Sequence, residues 1–234
     1  MNEFPKPRWG CLQWTLVVAV IVLLVSMLIP SPPFGGRISV QGNQMKAVNN
    51  CKQIILSLKQ YAKDADSAYP DGRHPEHKSA NQVFRVLFKD DIVVDERIFG
   101  CPTSAFNPDQ EIGLPSDFDK ALEAGECHWM ILKHQTEEGH PKMPLIVENS
   151  LKASWPPKWD VSAPDGIRKR GQPWSGRLIV IGRSDGTVQV EKLRPDGTLD
   201  WHSEPNLDEH GKSWIDSLTR EQIAKLAYWD IEEK

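Results

Sequence analysis

Residues 12–29 read LQWTLVVAVIVLLVSMLI, a run that contains no ionisable side chain. At a helical rise of ~1.5 Å per residue the run covers roughly 27 Å, close to the ~30 Å hydrocarbon core of a lipid bilayer. A buried helix of a globular domain usually keeps a polar stripe along one side, and this run has none. The sequence therefore predicts a transmembrane helix at residues 12–29.

Charged residues on either side of this helix predict its orientation. Lys6 and Arg8 precede it, whereas the first basic residue after it is Arg37. Because positively charged flanks stay in the cytoplasm, residues 1–11 are predicted to form a cytoplasmic leader and the remainder to be exported. We therefore expect a single-pass protein of the inner (cytoplasmic) membrane with an extracytoplasmic, periplasmic C-terminal domain.

A cleaved secretory signal peptide is the alternative interpretation of the same N-terminus. The apolar run exceeds the ~7–15 residues of a usual signal core. The residues that follow it, MLIPSPP at positions 27–33, contain no small-x-small cleavage site. A permanent anchor is therefore favoured.

Charge and cysteine content narrow the classes of function. The chain has 28 basic and 32 acidic residues, a net charge of −4, which does not favour a nucleic-acid-binding surface. Cys11 lies at the predicted cytoplasmic edge of the membrane, so only Cys51, Cys101 and Cys127 would meet an oxidising compartment. Two of these three cysteines can form a disulfide, which leaves the third as a free thiol. The sequence alone does not show which two are bonded.

Helical patterns resume after an interruption that follows the anchor. Residues 30–36 read PSPPFGG, and proline lacks the N–H donor that a continuing helix needs, so we predict a Pro/Gly spacer at residues 30–42. An amphipathic helix is predicted at residues 43–63 and a shorter one at residues 79–88. In the first of these, apolar residues recur at spacings of three and four: Val48, Cys51, Ile54, Ile55, Leu58, Tyr61 and Ala62.

The C-terminal half has the pattern of an antiparallel sheet. Apolar and β-branched runs predict strands at residues 127–132, 145–148, 177–182 and 187–193. Asp185-Gly186 between the last two strands predicts a hairpin. Residues 213–229 predict one or two short helices, with Thr219 as a cap. The predicted fold class is α+β, with a transmembrane helix, an amphipathic helix and a small antiparallel sheet in a domain at residues 43–234.

No sequence motif predicts an enzyme, a cofactor or a metal centre. His74 and His77 lie in a loop rich in proline and charge, and neither has the i, i+4 helical pairing of a zinc hydrolase, so we interpret them as solvated loop residues. GRSDG at residues 182–186 has the letters of a nucleophile elbow, but it lies between two strands, where that motif requires a strand followed by a helix. We therefore predict a non-enzymatic protein.

Two groups of acidic residues could supply oxygen ligands to calcium outside the cell. The first follows the amphipathic helix, and the second lies in a late loop without the spacing of a dedicated calcium loop. They are Asp64 and Asp66, and Asp196, Asp200, Glu204, Asp208 and Glu209.

A loop rich in tryptophan, proline and basic residues has two interpretations. Exposed at its surface, Trp155, Trp159 and Trp174 could stack on glycans or on a protein partner. Alternatively, the same aromatics fix a long loop over the sheet. We favour the second interpretation and keep a glycan- or protein-binding module as the alternative function.

Several short motifs between residues 45 and 190 resemble a known superfamily. NNCKQI at residues 49–54, FGCPTS at 99–104, ASWPPKW at 153–159 and WSG at 174–176 carry the resemblance, with the hairpin at Asp185-Gly186. With the order leader, apolar helix, amphipathic helix and sheet, they resemble type IV pilins and type II secretion pseudopilins. The detail is most similar to G-type pseudopilin-like proteins of the planctomycete and verrucomicrobial kind.

The resemblance implies a pilin-like fold and a structural or interaction role in a type II secretion or pilus-like apparatus. Other pseudopilins or apparatus proteins would be its partners, and leader processing would fall between Gly10 and Cys11. Thr15 stands where the family has a glutamate. The resemblance also implies a disulfide between Cys51 and Cys101, since both lie inside matched motifs. G-type relatives bind calcium near the C-terminus, but the resemblance does not identify ligand residues in this chain.

Overall fold

The computed structural model describes residues 10–28, 35–115, 117–162 and 166–234. Within these residues the chain divides between Val40 and Gln41 into two compact units. Predictions for residues 1–9 and for residues 29–34, which include most of the leader and the start of the spacer, lie outside the described residues.

The first unit contains helix α1, Cys11–Leu28. Most of its described apolar side chains are exposed to roughly half of their area or more, and Val17 is less exposed. The exposed ones are Trp14, Leu16, Val18, Val20, Ile21, Val22 and Leu24. Within the described part of the chain, no helix combines the length and the apolar character that crossing a membrane requires. The transmembrane helix at residues 12–29 therefore stays a prediction.

Helix α2 spans Gly35–Asp64 and is 30 residues long. The spacer predicted at residues 30–42 is therefore wrong from residue 35 onward. The sequence after Pro33 contains no proline until Pro70, and isolated glycines such as Gly42 weaken a helix by ~1 kcal/mol without ending it. The amphipathic helix predicted at residues 43–63 is confirmed as the C-terminal part of α2.

The buried face of α2 follows the predicted spacing. Cys51, Ile54, Ile55 and Leu58 have no exposed area. Gly182 of the sheet lies directly against this face, because a Cβ atom there would collide with the side chains of Ile55 and Cys51. A glycine at this position therefore allows the helix to rest on the sheet.

Two shorter helices follow α2. Helix α3, Pro70–Arg73, is a single turn, and helix α4, Ala80–Lys89, lies where the second helix was predicted. The Ser79 hydroxyl caps α4 by accepting a hydrogen bond from the backbone N–H of Gln82 at 3.2 Å. The predicted helix at residues 79–88 is confirmed.

Five antiparallel strands form one sheet with the order β4-β3-β2-β1-β5. They are β1 Trp129–Leu132, β2 Pro144–Glu148, β3 Leu178–Arg183, β4 Val188–Lys192 and β5 Tyr228–Trp229. The predicted hairpin is confirmed: Gly182 pairs with Val188 across a turn in which Gly186 has φ +87°. The α+β class with a small antiparallel sheet is thus confirmed.

The C-terminal segment was predicted only in part. A 3₁₀ turn, Trp214–Ser217, and helix α5, Arg220–Lys225, lie within residues 213–229, and Thr219 caps α5 as predicted. Tyr228 and Trp229 instead form edge strand β5 beside β1. The helical prediction is wrong there, because large aromatic side chains pack well on a half-buried sheet edge.

Candidate functional site

A buried cluster of polar side chains lies at the end of β2. We call it the Glu148 cluster; it consists of Glu148, Cys101, His128, Arg168 and Trp174, and none of these residues is more than 5% exposed. It brings four buried titratable side chains together in the described core. We therefore consider it as the candidate functional site.

Three parts of the fold position the cluster. Glu148 ends β2 opposite Trp129 of β1, and His128 immediately precedes β1. Arg168 forms a short parallel bridge with the loop that carries Cys101. Its backbone N–H donates to the Thr103 carbonyl at 2.6 Å, and its carbonyl accepts from the Ala105 N–H at 2.9 Å. Two long loops are thus joined to the sheet at one point.

Glu148 and Arg168 form the central ion pair. Nη1 of Arg168 donates to Oε2 of Glu148 at 3.1 Å, while Nη2 lies 2.8 Å from Sγ of Cys101. The guanidinium stacks on the indole of Trp174 at 3.8 Å, and Nε1 of that indole donates to Oε1 of Glu148 at 2.8 Å. The two opposite charges therefore compensate each other.

His128 completes the cluster as a neutral imidazole. Its Nδ1 lies 2.8 Å from the Asn149 amide nitrogen, which can only donate, so Nδ1 accepts and the proton resides on Nε2. Nε2 lies 3.6 Å from Oε1 of Glu148. Burial lowers the pKa of His128, which keeps the ring neutral.

The cluster does not have the properties of a nucleophilic site. Burial, reinforced by Glu148 and only partly opposed by Arg168, raises the pKa of the Cys101 thiol, so the reactive thiolate is disfavoured. A surface depression of about 490 Å³ reaches the Cys101 loop between Lys46 and Arg97, yet Cys101 itself is 1% exposed. A substrate at the surface would not meet this sulfur.

A metal ion does not suit the cluster either. Cys101, His128 and Glu148 each place one ligand atom within 4.8 Å of the others. However, the guanidinium of Arg168 already contacts both the sulfur and the carboxylate, and a second cation there would be repelled at close range. The geometry supports a structural ion pair that joins loops to the sheet.

The three described cysteine side chains are all free. Cys51, Cys101 and Cys127 are buried thiols within the described residues, so the predicted Cys51–Cys101 disulfide is not present and that expectation is corrected. The physical reason is the position of Cys101, whose sulfur is engaged by Arg168. Gly10 lies exposed directly before α1, and Cys11 is the first residue of α1.

The three tryptophans singled out from the sequence do not form an exposed surface. Trp159 is 1% exposed and its Nε1 donates to the Asn149 carbonyl at 2.9 Å. Trp174 lies in the Glu148 cluster. Trp155 packs against Trp201, with ring centroids 4.8 Å apart, and against Trp214. These side chains hold the loop on the domain.

The acidic residues considered for calcium mostly support local turns. Asp196, Asp200 and Asp208 each accept a backbone N–H two residues further along the chain, at 2.9–3.1 Å. Asp66 pairs with Arg73 at 2.8 Å. Their carboxylates are thus oriented by the loops that contain them.

Sequence reasoning missed Glu148, Arg168 and His128. Glu148 had a signal: it is a charged residue at the end of the apolar run LIV, and a strand buried on both faces needs a partner for such a charge. Arg168 had none, because it is one of three consecutive basic residues at positions 168–170.

Acid should weaken the fold through Glu148. Burial alone would raise the pKa of this carboxyl, but Arg168, His128 and Trp174 lower it to about 2, from an ordinary value of 4.5. The unfolded state therefore binds the proton more tightly. The stabilisation is fully present above pH 4.5 and is lost as the pH falls towards 2, by roughly 3 kcal/mol.

Urea unfolding at pH 5.5, 4.5, 3.5 and 2.5 measures this loss in the free energy of unfolding. In a Glu148→Gln variant the free energy of unfolding should fall less steeply with decreasing pH than in the native chain. If the two proteins lose stability in parallel, Glu148 is not the group responsible.

No protein-family model, no curated protein and no solved structure matches this chain.

Proposed function

We propose that the chain is a non-enzymatic, membrane-anchored subunit of the pseudopilin type, serving a type II secretion or pilus-like apparatus. The observation that carries the proposal is α2. This 30-residue helix follows the apolar helix α1 and buries Cys51, Ile54, Ile55 and Leu58 in the core of the sheet-containing unit. Such an order of helices is typical of a subunit that is held at one end and presents a domain at the other.

The exposed apolar surface of α1 supports anchoring. Leu16, Val18 and Val22 are 54–63% exposed, and apolar area of this extent is stable only against lipid or against another apolar surface. A bilayer satisfies this requirement, and neighbouring copies of α1 could add contacts within it. The localisation that follows is the inner membrane, with the N-terminus in the cytoplasm and residues 43–234 outside it.

The closed Glu148 cluster supports the non-enzymatic part of the proposal. Its carboxylate is neutralised by Arg168, its thiol is protonated, and its imidazole is buried. The burial of Trp159 and Trp174 removes the aromatic surface on which a glycan- or protein-binding module would depend. Partner contacts would instead involve α1 and the outer surface of the second unit.

Two aspartates in the middle of α1 should abolish anchoring. Each costs about 2.5–3.5 kcal/mol at the centre of a membrane helix, so a Val18→Asp/Ile21→Asp variant opposes insertion by ~5–7 kcal/mol. After translation in vitro with inner-membrane vesicles, the native chain should resist alkaline carbonate extraction and the variant should be extracted. A Val18→Leu/Ile21→Leu control should behave like the native chain. Extraction of the native chain would contradict the anchor.

A further inference from the structure

The turn between α3 and α4 brings two imidazoles and a carboxylate together. His74 directly follows α3, and the His77 N–H donates to the His74 carbonyl at 3.1 Å. The two rings stack with centroids 5.1 Å apart and planes inclined by 24°. Oε1 of Glu76 lies 3.2 Å from Nδ1 of His74. The four-residue segment 74–77 thus gathers three potential ligands on one side of a turn.

The spacing of these groups is close to that of a zinc site. One ligand atom from each of His74, Glu76 and His77 lies within 4.8 Å of the other two. Bonds of ~2.0–2.2 Å to a tetrahedral ion place its ligand atoms ~3.3–3.5 Å apart. The side chains of His74 and Glu76 are 39% and 67% exposed, so small torsional changes can close the remaining distance.

An unsatisfied nitrogen gives a second, independent indication. Nδ1 of His77 is buried and has no hydrogen-bond partner among the described residues. A buried polar atom left in this state costs ~1–3 kcal/mol, and the lone pair of an imidazole nitrogen can be used by a metal ion.

Hydrogen bonds to the preceding helix, α3, also hold segment 74–77 in place. Oδ2 of Asp71, in α3, accepts hydrogen bonds from the His134 N–H at 2.6 Å and from Nε1 of Trp229 at 2.9 Å. These bonds fix α3 to the segment that follows β1 and to β5. A site on a supported turn loses little conformational entropy when it binds an ion.

We propose that His74, Glu76 and His77 bind a zinc ion. Two imidazoles and one carboxylate are a ligand set that zinc accepts, and three protein ligands leave a further position for water. The Glu148 cluster offers similar donors, but there a guanidinium contacts both the sulfur and the carboxylate. The assignment is independent of membrane anchoring and of the apparatus in which the chain serves.

Titration calorimetry of the untagged full-length chain in detergent, with zinc chloride, tests the site. We expect one zinc per chain, and at least about a tenfold higher Kd in each of His74→Ala and His77→Ala, because each removes one ligand. Glu76→Gln keeps the size of the side chain, removes its charge and should also weaken binding. Circular dichroism of each variant verifies the fold.

His210→Ala is the matched control. His210 is an exposed histidine with Glu209 3.6 Å away, yet it belongs to no described three-ligand group. It should bind zinc as the native chain does. Absence of zinc binding to the native chain, an unchanged Kd in folded His77→Ala, or an equal loss in His210→Ala would each overturn the proposal.

Discussion

Replacing Arg168 with methionine is expected to lower the free energy of unfolding by about 3–5 kcal/mol. The side chain is 5% exposed, and its removal leaves the Glu148 carboxylate buried without its cation. It also removes the stacking on Trp174 and the contact with Cys101. Urea unfolding of the full-length chain in detergent, followed by tryptophan fluorescence, measures the loss.

Two further variants separate the buried ion pair from general effects of losing an arginine. Arg194 pairs with Asp200 at 2.9 Å on the surface, where the two side chains are 52% and 42% exposed, so Arg194→Met should cost less than about 1 kcal/mol. The double variant Arg168→Met/Glu148→Gln should be more stable than Arg168→Met by about 1 kcal/mol or more, because no uncompensated charge remains. A double variant as unstable as the sum of the two single changes would contradict this coupling.

Trp159→Ala is expected to have an effect of similar size, about 3–5 kcal/mol. The indole is 1% exposed, and its removal opens a cavity and leaves the Asn149 carbonyl without the Nε1 donor. Asn149 in turn bonds to His128, so the change also loosens one side of the Glu148 cluster. Thermal unfolding and urea unfolding both report it.

The same variant distinguishes the two interpretations of the tryptophan-rich loop. If the loop is a binding surface, Trp159→Ala should abolish partner binding and leave the fold intact. If the loop is structural, the same change should lower the free energy of unfolding. Ile167→Ala is the control, because Ile167 lies in the same loop and is 74% exposed, and it should change stability by less than about 0.5 kcal/mol. Native stability in Trp159→Ala would contradict the structural role.

The sequence predicts those parts of the fold that depend on local patterns. The buried face of α2 follows from apolar residues three and four apart, and the β3–β4 hairpin follows from Asp185-Gly186 between two β-branched runs. The Ser79 and Thr219 caps follow from short-range hydrogen bonds. In each case the residues that form the pattern lie close together in the chain, so the local sequence is sufficient to predict the element.

The Glu148 cluster could not be predicted from local sequence patterns. Its members come from positions 101, 128, 148, 168 and 174, and only tertiary pairing brings them together. The helical prediction at Tyr228 was wrong for a related reason, since packing against β1 overrides a weak local preference. The predicted start of α2 was wrong because glycines weaken a helix without ending it. The free thiol of Cys101 also depends on a distant residue, because Arg168 engages the sulfur.

The N-terminus of the chain recovered from the membranes of its own cells tests the pseudopilin-type proposal most directly. Mass spectrometry of the intact protein distinguishes a chain that begins at Cys11 from one that keeps the leader. Processing after Gly10, with the mature chain in the membrane fraction, is the expected result. A membrane-bound chain that retains Met1 and the whole leader would contradict a role as a processed subunit of such an apparatus.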